Sequence, residues 1–202
     1  MNRNVINDPS GLNPQNAMQS MEAHNNIVDQ YPNSIFFYDN LNKNSLNSSN
    51  IDIYRFVESA ERLLESNLKN NTYALLVFDI DKFHEINKSY GDSIMNELIA
   101  RINSTLKSHI KEPNLYCNVK EHFAILLENY KSIDIAMLVI QLSEEISCFY
   151  PELKIKPAFG ICIAGPSDRK VSSLYKRAFY AKNTIKGQDK QLLANYTELI
   201  LG

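Results

Sequence analysis

Apolar residues change period as the chain is read, and the changes mark out alternating helices and strands. From residue 51, Tyr54, Val57, Ala60, Leu63 and Leu64 recur at three- and four-residue steps. That spacing predicts an amphipathic helix to about residue 68, ended by Asn70 and Asn71. Tyr73-Ala-Leu-Leu-Val-Phe-Asp-Ile-Asp81 then runs almost unbroken through strand formers and predicts a strand buried on both faces. Helical spacing returns with Ile94, Met95, Leu98, Ile99, Ile102 and Leu106 over 93–110, with Pro113 and Asn114 as the stop. Two short strand patterns, 115–119 and 123–127, are joined so closely around Lys120 and Glu121 that they predict a hairpin. A helix over 132–149 ends at Pro151, a strand covers 155–164, and a last helix over 171–185 precedes Gly187. The order is helix, strand, helix, hairpin, helix, strand, helix. It predicts an α+β fold: a central, mostly antiparallel sheet of ferredoxin-like, split βαβ topology with helices packed on it.

Composition adds a boundary. Of 24 asparagines, 13 fall within residues 1–50, a segment whose one aliphatic and aromatic cluster is Ser34-Ile-Phe-Phe-Tyr38. Asparagine competes for backbone hydrogen bonds and favours turns. Residues 1–30 are therefore expected to be a poorly ordered or loosely helical lead-in, and 31–202 a single domain. The 202 residues are 44% hydrophobic and 22% charged, with a net charge of -2, which fits an ordinary globular chain. The balance gives no electrostatic reason to expect nucleic acid as a partner. No apolar stretch approaches the roughly 20 residues of a membrane span, and the first residues lack an apolar signal core. A cytoplasmic location is the expectation. Cys117, Cys148 and Cys162 are odd in number and widely spaced, and imply neither a disulfide framework nor a zinc ribbon.

Candidate chemistry gathers at the end of the 73–81 strand. Asp79 and Asp81 lie two apart, so on a strand their side chains share a face. Paired carboxylates there can hold Mg²⁺, which prefers hard oxygen ligands, or can simply be solvated where the strand leaves the core. A phosphatase of the haloacid-dehalogenase type also carries Asp-x-Asp after a strand, but Lys82-Phe83 follows here where a small residue is needed. Glu121, at the hairpin turn, supplies a third carboxylate if the hairpin tip lies beside Asp79. An exposed turn glutamate is the simpler reading of that residue.

Phe78-Asp-Ile-Asp-Lys-Phe-His-Glu-Ile-Asn87 followed by Tyr90-Gly91 resembles the "DxDxFKxIND..GH" signature of the GGDEF family, the diguanylate cyclase domains that condense two GTP into cyclic di-GMP. Asn118-Val-Lys-Glu-His-Phe-Ala-Ile-Leu-Leu127 resembles the family's "R-x-GGDEF-x-x-x-L" hairpin, and Ala178-Phe-Tyr-Ala-Lys182 its "A-x-x-A-K" segment. Tyr54-Arg-Phe is similar to the first helix of the family, and Asp39-Asn-Leu-Asn to a remnant of its "D-x-L-T-G-L" entry motif. The resemblance covers about residues 35–200 and implies a nucleotidyl cyclase-like sheet.

The resemblance implies a metal site at Asp79, the Ile80 carbonyl and Glu121, with Mg²⁺ as the cofactor. It implies guanine contacts at Asn87 and Asn96 and a phosphate contact at Lys182. Departures from the family pattern are concentrated at the hairpin. The two glycines are Val119 and Lys120, expected to disfavour the positive-φ turn and to add bulk against a nucleotide. The fourth signature position, a glutamate in active members, is His122. Asn96 stands where an acid reads guanine, His84 replaces a lysine, and Ile110 to Pro113 lack the arginine and aspartate of the product-inhibition motif. These departures imply a degenerate domain of a cyclic di-GMP signalling protein without cyclase activity, acting as a regulatory or interaction module, GTP sensing included. The alternative is an active cyclase that pairs two GTP-loaded copies as a homodimer. A neighbouring domain in a longer parent protein, such as an EAL-type phosphodiesterase, is the partner the resemblance suggests.

Overall fold

The computed structural model describes residues 48–67, 72–188 and 191–201. The expected lead-in over residues 1–30 and the Asp39 motif lie outside the described residues. The elements are α1 (Ser48–Asn67), β1 (Tyr73–Ile80), α2 (Phe83–Tyr90), α3 (Asp92–His109), β2 (Leu115–Val119), β3 (His122–Glu128), α4 (Ile135–Cys148), β4 (Pro157–Ile163), α5 (Val171–Ile185), β5 (Leu193–Asn195) and α6 (Tyr196–Leu201). They form one five-stranded sheet in the order β2-β3-β1-β4-β5. β1 is central and antiparallel to both neighbours, and β4 with β5 makes a parallel pair. This is the α+β architecture that the hydrophobic pattern predicts.

Every residue of β1 is buried, which explains why its sequence reads as a continuous apolar run. Tyr73, Leu75 and Val77 face a core layer shared with α1 and α5. Ala74, Leu76, Phe78 and Ile80 face the opposite layer, which includes Leu98 and Ile102 of α3 and Leu142 and Ile146 of α4. In that second layer Phe78 stacks on Phe123 at 4.7 Å and tilts against Phe159 at 4.8 Å. Consecutive β1 residues thus anchor opposite layers, which fixes the register and carries Asp79 to the α5 side.

Several boundaries differ from the sequence expectation. β1 ends at Ile80, because Lys82 adopts a left-handed conformation (φ 55) that turns the chain into α2. α2 itself is not visible in the hydrophobic pattern: none of its residues is buried. Gly91 (φ 85) then separates it from α3. α4 starts at Ile135, three residues later than the pattern suggests, because the Asp134 carboxylate accepts the Met137 N–H at 2.9 Å and caps the helix there. β4 starts at Pro157, since a 3-10 turn (Pro151–Leu153) and left-handed Lys154 occupy the preceding residues. The short β5 adds a strand that the pattern does not predict.

Gly160, in the middle of β4, decides how closely α5 packs. A Cβ placed on it would lie 2.0 Å from the Ala178 carbonyl oxygen and 2.5 Å from the Lys182 nitrogen. Only glycine allows this approach of helix backbone to strand backbone. The approach sets Lys182 over the end of β1.

Candidate functional site

The end of β1, the β2–β3 hairpin and the last turn of α5 converge on Asp79. Sheet register places Asp79 opposite His122 on β3 and Ala158 on β4. Its carboxylate is 3% exposed. Lys182, 1% exposed, donates its Nζ to Asp79 Oδ2, and Lys186 Nζ donates to the same oxygen at 3.0 Å. Lys186 also lies 3.8 Å from Asp81 Oδ1. The strand ends at Ile80, so Asp79 and Asp81 do not share a strand face as the sequence suggests. Asp81 lies in the turn after β1, where its Oδ1 accepts the Lys82 N–H at 3.0 Å, and one ammonium serves both acids.

His122 fills the third side of the cluster. Its Nδ1 is 4.0 Å from Asp79 Oδ2 and its Nε2 is 3.7 Å from Glu121 Oε1. The ring meets Phe179 edge-on at 6.1 Å, and Lys182 Nζ sits 4.1 Å above the centre of that same Phe179 ring. Asp79 Oδ1 and His122 Nδ1 are buried without a hydrogen-bond partner.

Charge states follow from this packing. Burial pushes the Asp79 carboxyl up, but the ammonium groups of Lys182 and Lys186 outweigh it and hold the group below the usual carboxylate range. Burial drives the Lys182 ammonium down to about 8, against the pull of Asp79. Burial also lowers the His122 imidazole, more than the Glu121 and Asp79 charges raise it. At neutral pH the cluster therefore holds the Asp79 carboxylate, the Lys182 ammonium and a neutral His122 imidazole.

The hairpin turn corrects the expectation for Val119. Positive φ falls on Lys120 (φ 52) and not on Val119, which is the last residue of β2 and pairs with His122. Its side chain is 8% exposed and belongs to the core layer of α1 and α5. Val119 is thus a packing residue in an unstrained backbone, while lysine occupies the position that favours glycine. The Asn118 Nδ2 donates to the Lys120 carbonyl at 3.2 Å and closes the turn.

The guanine-contact candidates separate. Asn87, on α2, donates its Nδ2 to Asp92 Oδ1 at 2.9 Å, and its Oδ1 is buried without a partner. Asn96 is exposed one turn further along α3. Asp92 and Gly160 are the residues at this end of the sheet that the sequence reading passes over. A glycine inside an apolar strand was the one available signal, for Gly160. Lys186 opens Lys186-Gly187-Gln188, which the resemblance sets against a glycine-arginine-asparagine segment of different spacing.

The side chains present do not fit Mg²⁺ in this arrangement. Of the implied ligands Asp79, Ile80 and Glu121, only Asp79 offers a buried carboxylate, and one of its oxygens is held by two ammonium groups. Among the described residues no three His, Cys, Asp or Glu side chains group closely enough to hold a metal ion. A divalent cation bound through Asp79 Oδ2 would have to displace two ammonium groups, one of them the enclosed Lys182.

The sequence profile described as "Diguanylate cyclase, GGDEF domain" matches residues 54–191. An uncharacterized protein of Sinorhizobium fredii is 25% identical over 135 residues, covering 64% of this chain and 16% of that protein. An uncharacterized membrane protein of Staphylococcus haemolyticus is 26% identical over 109 residues, 50% of this chain and 31% of that protein. The chain thus spans less than a third of either relative. The active GGEEF domain of a diguanylate cyclase from Vibrio cholerae superposes with a TM-score of 0.60 at 20% identity, over 75% of this chain and 98% of that one. The diguanylate cyclase SiaD, solved in complex with its activator SiaC from Pseudomonas aeruginosa, gives 0.61 at 17% identity, over 90% and 74%. These likenesses show the fold.

Proposed function

The chain belongs to the diguanylate cyclase GGDEF domain family, and from that premise we propose that it is a regulatory domain of cyclic di-GMP signalling that no longer carries out cyclase chemistry. The observation that carries this reading is the Asp79 cluster. Two lysine ammonium groups neutralise the carboxylate that the family resemblance assigns to metal, and His122 puts a neutral imidazole where the resemblance implies an anion. A triphosphate site needs cationic groups directed outward at the ligand. Here Lys182 is turned inward and enclosed. The proposed role is contact with a neighbouring domain or a second copy of this chain, in a cytoplasmic setting. Among the described residues no helix is long and apolar enough to cross a membrane.

The opposing reading, an active homodimeric cyclase, draws on one observation: Asp79 Oδ1 is buried without a partner and is a free acceptor at the implied metal position. Calorimetric titration with GTP and Mg²⁺, followed by a product assay on the same sample, decides between them. The expected result is no cyclic di-GMP. GTP binding that Asp79→Ala abolishes identifies a nucleotide sensor, and absence of binding identifies a purely protein-directed module. Formation of cyclic di-GMP overturns the proposal. A variant with Val119→Gly, Lys120→Gly and His122→Glu isolates the hairpin: recovery of GTP binding would place the loss there and not at Asn96 or His84.

A further inference from the structure

A cavity of about 760 Å³ opens on the β4 side of the end of β1, the side away from the hairpin. It lies between α2, the 3-10 turn (Pro151–Leu153), the start of β4 and the end of α5. Asp79, Lys182, His122 and Glu121 do not line it. Its volume is in the range of pockets that enclose small organic ligands.

The lining combines two chemistries. Leu153 and Ala158, each 8% exposed, and Ile185, 3% exposed, provide an apolar floor. Lys82, Lys154 and Lys156 provide a cationic rim from two separate segments. Two carboxylates share the wall, Asp81 and Glu85. Asp81 is already engaged by the Lys82 N–H and by Lys186, so Lys82 and Lys154 set against Glu85 leave the rim with a positive surplus. The backbone singles out two of these lysines. Lys82 (φ 55) and Lys154 (φ 48) are two of the four non-glycine residues with positive φ among the described residues. Glycine or asparagine would relieve that strain, and both positions in the cavity wall instead carry a long cationic side chain.

We propose that this cavity binds a small organic anion, with a phosphate or carboxylate group held by the lysine rim and an apolar body resting on Leu153, Ala158 and Ile185. Charge-assisted hydrogen bonds from the ammonium groups would fix the anion, and burial of the body would supply the remainder. The end of α5 lines the cavity, and the same helix carries Lys182 of the Asp79 cluster.

The test is an amide chemical-shift titration of the full chain with phenyl phosphate and, separately, benzoate. Phenol and inorganic phosphate serve as the two half-ligands. Saturable shifts are expected at Lys154, Ala158 and Gln188 with at least one aromatic anion, and the tighter of the two identifies the acid group. Each half-ligand should bind at least about tenfold more weakly, as should the Lys154→Glu/Lys156→Glu variant toward the aromatic anion. Glu121→Gln, at the hairpin, should leave this binding unchanged. The proposal is overturned if neither aromatic anion shifts these amides, if either half-ligand binds as tightly, or if the double lysine variant binds as well as the native chain.

Discussion

Gly160→Ala tests whether the close seating of α5 on the sheet holds the Asp79 cluster together. The added Cβ would stand 2.0 Å from the Ala178 carbonyl oxygen, 2.5 Å from the Lys182 nitrogen and 2.8 Å from the Lys182 Cβ. A close C···O contact is roughly 3.3–3.6 Å, so α5 must withdraw by more than about 1 Å. Overpacking costs about 1–3 kcal/mol where side chains can move aside. Here two of the three obstructing atoms are backbone, so the effect belongs at the upper end, about 3 kcal/mol. At this chain length that lowers the melting temperature by roughly 6–12 °C. Urea unfolding and thermal melts measure it, with Gly165→Ala as the control. A Cβ at Gly165 meets only Asp168 Oδ2, at 3.5 Å, an ordinary contact. If Gly160→Ala unfolds within about 0.5 kcal/mol of the native chain, α5 is not clamped by this contact and the account of how Lys182 reaches Asp79 fails.

The two lysines on Asp79 should differ sharply. Lys182→Met removes the enclosed partner of a buried carboxylate and should cost about 3 kcal/mol, while Lys186→Met, at a side chain 35% exposed, should cost less than about 1 kcal/mol. In a double-mutant cycle by urea unfolding, Asp79→Leu with Lys182→Met should lie closer to the native chain than Lys182→Met alone, and equal losses for both lysines would contradict the geometry. His122 sets an acid-side slope. Burial holds its imidazole below the ordinary value, so the unfolded chain takes up a proton first and stability falls as pH drops below about 6.5. His122→Phe should flatten the profile in that window, and an unchanged slope would mean that His122 is solvated.

What the sequence made legible was whatever follows from periodicity. β1, buried on both faces, and the helices with a full apolar stripe stand out because each contributes to a core layer. α2 escaped because it buries no residue, and its place is set by left-handed Lys82 on one side and Gly91 on the other. β5 is only three residues long, and its pairing with β4 depends on contacts distant in sequence. At the site, residue types pointed to Asp79 and Lys182, but not to their bond. A separation of 103 residues leaves no local signal, and the deciding feature, the absence of a side chain at Gly160, lies on a third element.

That bond changes what the retained family residues signify. Asp79 and Lys182 match the family's implied metal and phosphate contacts, and their presence alone would suggest preserved chemistry. Both are at most 3% exposed, and each is the other's main compensation for burial. Loss of either would leave an uncompensated charge inside the fold, so stability alone is sufficient reason for both to be present. His84 and Asn96, where the resemblance implies other residues, are exposed. Val119 departs from the pattern in the direction of packing, adding a buried side chain to the layer beneath the hairpin. Buried Asp79 and Lys182 thus have a structural reason to be present that is independent of any nucleotide.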